Sequence, residues 1–333
     1  MSLSRFSASL LLAFSLAGCS FGLAPDSIGT SVSSAKRRDL PGHVYLLRGL
    51  IGDVFSLGMD DLAAKIEKRG IKASVHGVSA ARLLADDIIK KYRDDPSLAP
   101  IMLIGHSTGG DEIIAMAEKL KRANIPVALA VGFDPTPIAG DVPSNVELFI
   151  NIYQATNLIG GGRATAGPGF RGRLVNVDLR ERREIVHITL DKSPVVHELV
   201  TEKIVGIAEL AAEKRKAASA SSKTDVSGAG QANDVRPLVM KYVVPANARI
   251  ELWDSAVAVT ATDDDTLATI AARSGAPVWA IAQINKLGEH ASVQPGRRLL
   301  VPRNIYAPGL ATSDDQPNTA IGAARVRRST PIR

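Results

Sequence analysis

Apolar positions fall into two rhythms along this chain. Short, nearly continuous apolar runs alternate with longer stretches whose apolar residues recur at helical spacing. Residues 43–47 and 72–76 read as strands, with an amphipathic helix at 59–69 between them that Gly70 stops. A helix at 80–92 follows, then an apolar run at 100–104 and a helical pattern at 111–120. Further strands are predicted at 127–133, 146–153 and 174–179, and a helix at 195–214 closes the unit. Strands alternating with helices predict a doubly wound, mostly parallel α/β sheet over residues 40–214.

Beyond it the pattern changes. Residues 215–237 are rich in Ser, Ala and Gly and read as a flexible linker. Residues 238–303 read as a smaller α+β unit, with short lead-in strands up to 257 and then strand–helix–helix–strand. From 304 to 333 the apolar content drops, which predicts a disordered tail. Within the first unit the longest irregular stretch, 157–173, is Gly-rich and expected to border a site.

A chain of 333 residues with 45% apolar content can hold one full domain and a smaller one. The net charge of +6 comes in part from tail arginines (Arg325, Arg327, Arg328, Arg333) and the mixed run Arg180-Glu181-Arg182-Arg183. Terminal and mixed charges of this kind are solvated surface, not a nucleic-acid stripe. The six histidines lack paired ligand spacing, and Gly160-Gly161-Gly162-Arg163 lacks the Lys-Ser ending of a phosphate loop. No metal, nucleotide or other cofactor is expected.

Residues 1–18 read as an export leader, with Arg5, an apolar stretch at 8–16 and small residues up to Gly18. The stretch is shorter than the ~20 residues a transmembrane helix needs. Cys19 is the only cysteine, so no intramolecular disulfide can form. Leu16-Ala17-Gly18-Cys19 resembles the lipobox of bacterial lipoproteins. The resemblance implies that Cys19 is acylated and anchors the protein to a membrane through residues 19–39 as a tether. Ser20 after the cysteine mildly favours outer-membrane sorting in the periplasm.

The chemistry concentrates at Gly105-His106-Ser107-Thr108-Gly109, set between the apolar run at 100–104 and the helical pattern at 111–120. A G-x-S-x-G pentapeptide in strand–turn–helix context reads as a nucleophile elbow with Ser107 exposed at its tip. The helix that follows aims its first N–H groups at a developing oxyanion. A serine hydroxyl needs a base, and the base needs an orienting carboxylate. Asp134 follows a strand at the sheet edge where site residues gather and is the preferred acid, with Asp178 and Asp191 as competitors. His187, just beyond a predicted strand, is the preferred base, and His197 falls within the closing helix. His106 is expected to buttress the elbow.

Over about residues 40–213 the chain resembles the compact, lidless lipases and esterases of the α/β-hydrolase superfamily. The elbow, Gly49-Leu50 after the first strand and Val186-His187-Ile188-Thr189-Leu190 before the closing helix carry the likeness. It implies that Leu50 and Thr108 donate backbone N–H groups to the oxyanion. Arg48 departs from the histidine usual before that glycine; pairing with Asp53 or Asp111 is expected in preference to selection of a negatively charged substrate.

Residues 259–303 resemble LysM domains, on Asp265-Thr266-Leu267, Ile270-Ala271, Gly275, Val278, Ile281, Asn285, Leu287, Gly296, Leu299, Val301 and Pro302. The resemblance implies binding of N-acetylglucosamine glycans such as peptidoglycan. The contacts would come from loops around Asp265, Thr266 and Leu267 and around Ile284, Asn285 and Lys286. Asp264 replaces the glycine usual in the first loop. Together these readings predict a wall-associated lipoprotein serine hydrolase acting on acyl esters. The alternative is a non-catalytic envelope linker with an inert hydrolase fold.

Overall fold

The structure, a computed structural model, describes residues 39–50, 56–221 and 238–306. The leader, Cys19, the tether up to 38, residues 222–237 of the linker and the tail from 307 lie outside the described residues. Seven strands form one sheet: β1 (His43–Leu47), β2 (Lys72–His76), β3 (Ile101–His106), β4 (Leu129–Phe133), β5 (Leu148–Tyr153), β6 (Arg173–Asp178) and β7 (Leu238–Val243). Their order is β2-β1-β3-β4-β5-β6-β7, and every neighbouring pair is parallel. All strand C-termini therefore meet at one edge.

Side chains that alternate along each strand separate two cores. Val44 and Leu46 of β1 and Met102 and Ile104 of β3 face one side, against helices α1 (Gly58–Lys68) and α5 (Pro194–Ser221). Tyr45 and Leu47, with Ile101 and Leu103, face the other, against α2 (Ala81–Asp94) and α3 (Thr108–Arg122). Burial on both faces is why these strands are apolar throughout instead of alternating. The doubly wound α/β architecture expected from the sequence is the one observed.

Three local expectations change. The closing helix runs to Ser221, into the segment read as linker. The strand before His187, β6, ends at Asp178; residues 179–186 turn, and His187 opens a one-turn helix, α4 (His187–Leu190). Leu238–Val243 does not lead into the second unit but completes the main sheet, with Val239 beside Leu174 and Tyr242 beside Val177. Its alternating burial marks it as a strand; its place comes from pairing with β6, far away in sequence.

The C-terminal unit has strands β8 (Ser255–Thr260) and β9 (Arg298–Arg303), antiparallel, around helices α6 (Leu267–Ser274) and α7 (Val278–Ile284). Leu267, Ile270, Ala271, Ile281, Leu299 and Val301 fill its small core. A capping box opens α6: the Thr266 hydroxyl accepts from Thr269 N at 3.1 Å, and the Thr269 hydroxyl accepts from Thr266 N at 2.9 Å. Gly275 ends the helix in the left-handed conformation, φ 70°.

This unit is docked on the main sheet. Trp279 and Ile284 of α7 pack against the hydrophobic core beneath α1 and α5, and Ala280 belongs to it. The rings of Trp253 and Tyr242 meet at a tilt with centroids 4.8 Å apart, and Trp279 lies 5.4 Å from Trp253. Lys203 of α5 donates to Asp254 at 2.6 Å, and Ile305 N and Tyr306 N donate to the same carboxylate at 2.8 and 3.1 Å. Arg173 donates to the Asp254 carbonyl and, at 2.7 Å, to the Tyr306 hydroxyl. Residues 304–306 are thus held in place, where the sequence suggested a disordered tail.

Asp254 is fully buried, so its carboxylate depends on these donors. Asp254→Ala is expected to cost about 3–5 kcal/mol in urea unfolding, because it strands Lys203 without its counter-charge. A loss under 1 kcal/mol would contradict a shared, buried junction.

Candidate active site

β1 and β3 are neighbours whose chains leave in opposite directions, one toward β2 and the other toward β4. The crevice at such a switch point is where open α/β sheets gather their sites. Leu50 follows β1 there, and Ser107 follows β3. Ser107 joins β3 to α3 with φ 56° and ψ −127°, a backbone conformation that costs a non-glycine residue on the order of 1–3 kcal/mol. It is held by Ser107 N donating to Phe133 O at 2.9 Å and Gly110 N donating to Ser107 O at 2.8 Å. A Cβ on Gly105 would lie 2.1 Å from Gly109 O, and one on Gly109 would lie 2.5 Å from Leu47 O. Strand, turn and helix can approach this closely only with glycine at both places.

Ser107, His187 and Asp134 come together. The Ser107 hydroxyl donates to His187 Nε2 at 3.0 Å, and His187 Nδ1 donates to Asp134 Oδ2 at 2.8 Å, the tautomer following from these partners. The Asp134 carboxylate is fully buried and also accepts from Gln154 N (3.1 Å), Gly161 N (2.6 Å) and the Asn157 amide (2.6 Å). Four donors around a buried carboxylate fix its direction. The sequence reading missed Asn157 and the Gly160-Gly161 backbone as its supports. A Cβ on Gly160 would lie 2.4 Å from Asp134 Oδ2, so the glycine run serves close approach. The glycine run was the available signal for this.

His106 lies behind His187, with ring centroids 5.0 Å apart. Its Nε2 donates to His187 O at 2.9 Å, and its Nδ1 accepts from the Ser56 hydroxyl at 2.8 Å, which in turn accepts from Gly49 N. It therefore ties the elbow to the loops bearing His187 and Leu50. Burial holds its pKa down at about 4, so the ring is neutral. The Leu50 N–H donates to the Thr108 hydroxyl at 2.7 Å.

The competitors have other partners. Asp178 accepts from Arg180 Nε at 2.8 Å and Arg180 N at 3.0 Å. Asp191 accepts from Gly58 N at 3.0 Å, and burial pushes its carboxyl up to about 6. His197 donates through Nε2 to Asp191 O and accepts from Lys65 Nζ at Nδ1. Arg48 pairs with Asp60 at 2.6 Å. Asp53 lies outside the described residues, and Asp111 accepts from Thr136 instead. Around the triad the loops expose aliphatic side chains: Leu50, Ile138, Leu158, Ile159, Val186 and Ile188.

In the C-terminal unit, most side chains proposed for sugar contact are internally engaged. Asp265 pairs with Arg273 at 2.6 Å and accepts from Thr262 N at 2.8 Å. Thr266 caps α6, and Leu267 lies in the core. The Asn285 amide bridges to Leu300, donating to its carbonyl at 2.7 Å and accepting from its N–H at 2.8 Å. Ile284 packs on the main sheet, and Lys286 is exposed with φ 56°. Of these residues Thr266 and Lys286 are exposed, while Asp265 and Leu267 are buried.

Residues 259–302 match the family model described as LysM domain, and this part of the chain is a LysM domain. No curated protein matches the chain. Two solved structures are similar in arrangement. One is assigned as a hydrolase of the alpha/beta superfamily, from Xanthomonas campestris pv. campestris (15% identity, 35% of this chain and 74% of that one, TM-score 0.26). The other is human thioesterase 2 (13% identity, 61% of this chain and 85% of that one, TM-score 0.25). Likenesses this distant carry no argument about activity. The parallel sheet and the geometry at Ser107 stand on their own.

The His106 environment sets a pH dependence. Unfolded, this ring takes a proton near pH 6.5; folded, it resists down to about pH 4. Stability present above pH 6.5 is therefore lost as the pH falls toward 4, by a few kcal/mol. Half-buried His43, also lowered to about 4, adds to the fall, while Asp191 opposes it. His106→Gln is expected to give a shallower loss of Tm between pH 6.5 and 4 than wild type. An identical slope would contradict the role given to His106.

Proposed function

We propose that this protein is a serine hydrolase of carboxylic esters, held at the bacterial cell wall by its LysM domain. The observation that carries the reading is the relay from Ser107 through His187 to a buried, four-fold supported Asp134. In the proposed reaction His187 Nε2 takes the Ser107 proton as Oγ bonds to the ester carbonyl carbon. The negative charge that forms on the carbonyl oxygen is met by the N–H groups of Leu50 and Thr108. Each such donor is typically worth about 3 kcal/mol in the transition state. The C–O bond then breaks, and the alcohol leaves with the proton that His187 returns. Water, deprotonated by His187, next attacks the acyl-serine, and His187 returns that proton to Ser107 Oγ as its bond to the acyl carbon breaks and the acid leaves. Asp134 keeps the imidazole in the required tautomer throughout. The exposed aliphatic side chains around the site suit the apolar part of an acyl group.

LysM domains bind N-acetylglucosamine glycans, and peptidoglycan is the proposed partner. A lipid anchor at Cys19 and a periplasmic position, with the outer membrane favoured, belong to the same proposal. The rival reading, an envelope linker with an inert hydrolase fold, has one observation in its favour. The Leu50 N–H is already bonded to the Thr108 hydroxyl, which must turn away before an oxyanion can be held.

Hydrolysis of a panel of acyl esters distinguishes the two. The wild type is expected to turn over short or medium esters. Asp134→Ala should lower kcat/KM by about 10³–10⁴-fold with little change in the circular dichroism spectrum. Full activity in that variant would remove Asp134 from the mechanism, and no turnover by folded wild type would favour the linker.

A further inference from the structure

The LysM domain packs along β7, and one end of it reaches the C-terminal edge of the sheet, which carries the relay, while the other end is held at the opposite edge through Arg173, the first residue of β6. β7 is an edge strand, and the amide of Gln283 in α7 takes the place of a further strand beside it. Val243 N donates to Gln283 Oε1 at 2.8 Å, and Gln283 Nε2 donates to Val243 O at 3.0 Å. Val243 is the C-terminal residue of β7. Because all seven strands are parallel, this is the edge from which Ser107, Asp134 and the loop bearing His187 emerge. The loop between β6 and His187 also touches the turn leading into the domain, through Arg182 donating to Ala248 O at 2.9 Å. The other end of the domain is fixed by Asp254, Arg173 and Tyr306. Docking at both ends fixes the orientation as well as the distance.

Ile284 packs on the hydrolase core, and Lys286, two residues further, is exposed. The glycan-facing segment proposed at 284–286 therefore begins where α7 meets the active-site edge. From β7 to β3 is four strand steps, about 20 Å at the usual spacing of neighbouring strands. From these positions, and resting on the serine-hydrolase reading above, we infer that the ester substrate is carried on the same glycan that the LysM domain holds. One strand of wall glycan spans both sites, and the docked domain sets which acyl group along it reaches Ser107. Binding at the first site makes the second encounter intramolecular and raises the effective concentration of ester at Ser107.

The test uses the full chain and O-acetylated peptidoglycan fragments of graded glycan length, with acetate release as readout and p-nitrophenyl acetate as a soluble control. The expected result is a rise of at least tenfold in kcat/KM once fragments exceed a length of about 20 Å. The control ester should be turned over at one rate throughout. Trp279→Ala/Gln283→Ala should reduce turnover of the long fragments at least tenfold while leaving the soluble ester and wall sedimentation unchanged. Should that variant misfold, the length series on wild type decides alone. Turnover independent of length, or cleavage of the soluble ester but never of the fragments, would overturn the inference and leave the hydrolase reading intact. Failure to cleave either would overturn both.

Discussion

The arrangement depends on one constraint: a serine held in a left-handed backbone conformation at the end of a buried strand. That conformation is unfavourable in isolation and persists because the surroundings over-determine it. β3 is buried along its whole length, and α3 packs immediately behind the turn through contacts only glycine permits. Phe133 of β4 fixes the Ser107 amide from the side. The all-parallel sheet then brings the loops after β4 and β6 to the same edge, where Asp134 and His187 can reach one another.

Around this point the polar groups are organised in a closed set. Asp134 is buried with its donors, His106 with the Ser56 hydroxyl and the carbonyl of His187. A buried carboxylate without partners would favour its neutral form, and a buried imidazole with one open nitrogen would tolerate several orientations. Satisfying both leaves His187 one tautomer and one direction. Loops supply these partners, and the rigid sheet positions the loops.

The legible parts of the sequence were those where local pattern and chemistry agree. The strand–turn–helix setting of Gly105-His106-Ser107-Thr108-Gly109 and the strand–helix–helix–strand pattern of the LysM domain are both short-range signals, and both appear in the structure. The parallel sheet followed from alternating apolar runs and helices. What the pattern hid is long-range. β7 looks like any exposed strand, and nothing local shows that it pairs with β6. Asn157 and Gly161 lie in an irregular loop, and their bonds to Asp134 require the folded path of 154–162. The run around His187 mimics a strand because Ile185 and Ile188 are branched, but one turn of helix forms there. Gln283 gives no signal, since its role depends on an edge strand about 40 residues earlier.

The central claim is that Ser107 is a nucleophile activated by His187. Mass spectrometry of the protein after treatment with a fluorophosphonate tests this most directly. A covalent adduct on the peptide containing Ser107, absent in Ser107→Ala, is the expected result. Folded wild type that acquires no adduct would contradict the claim.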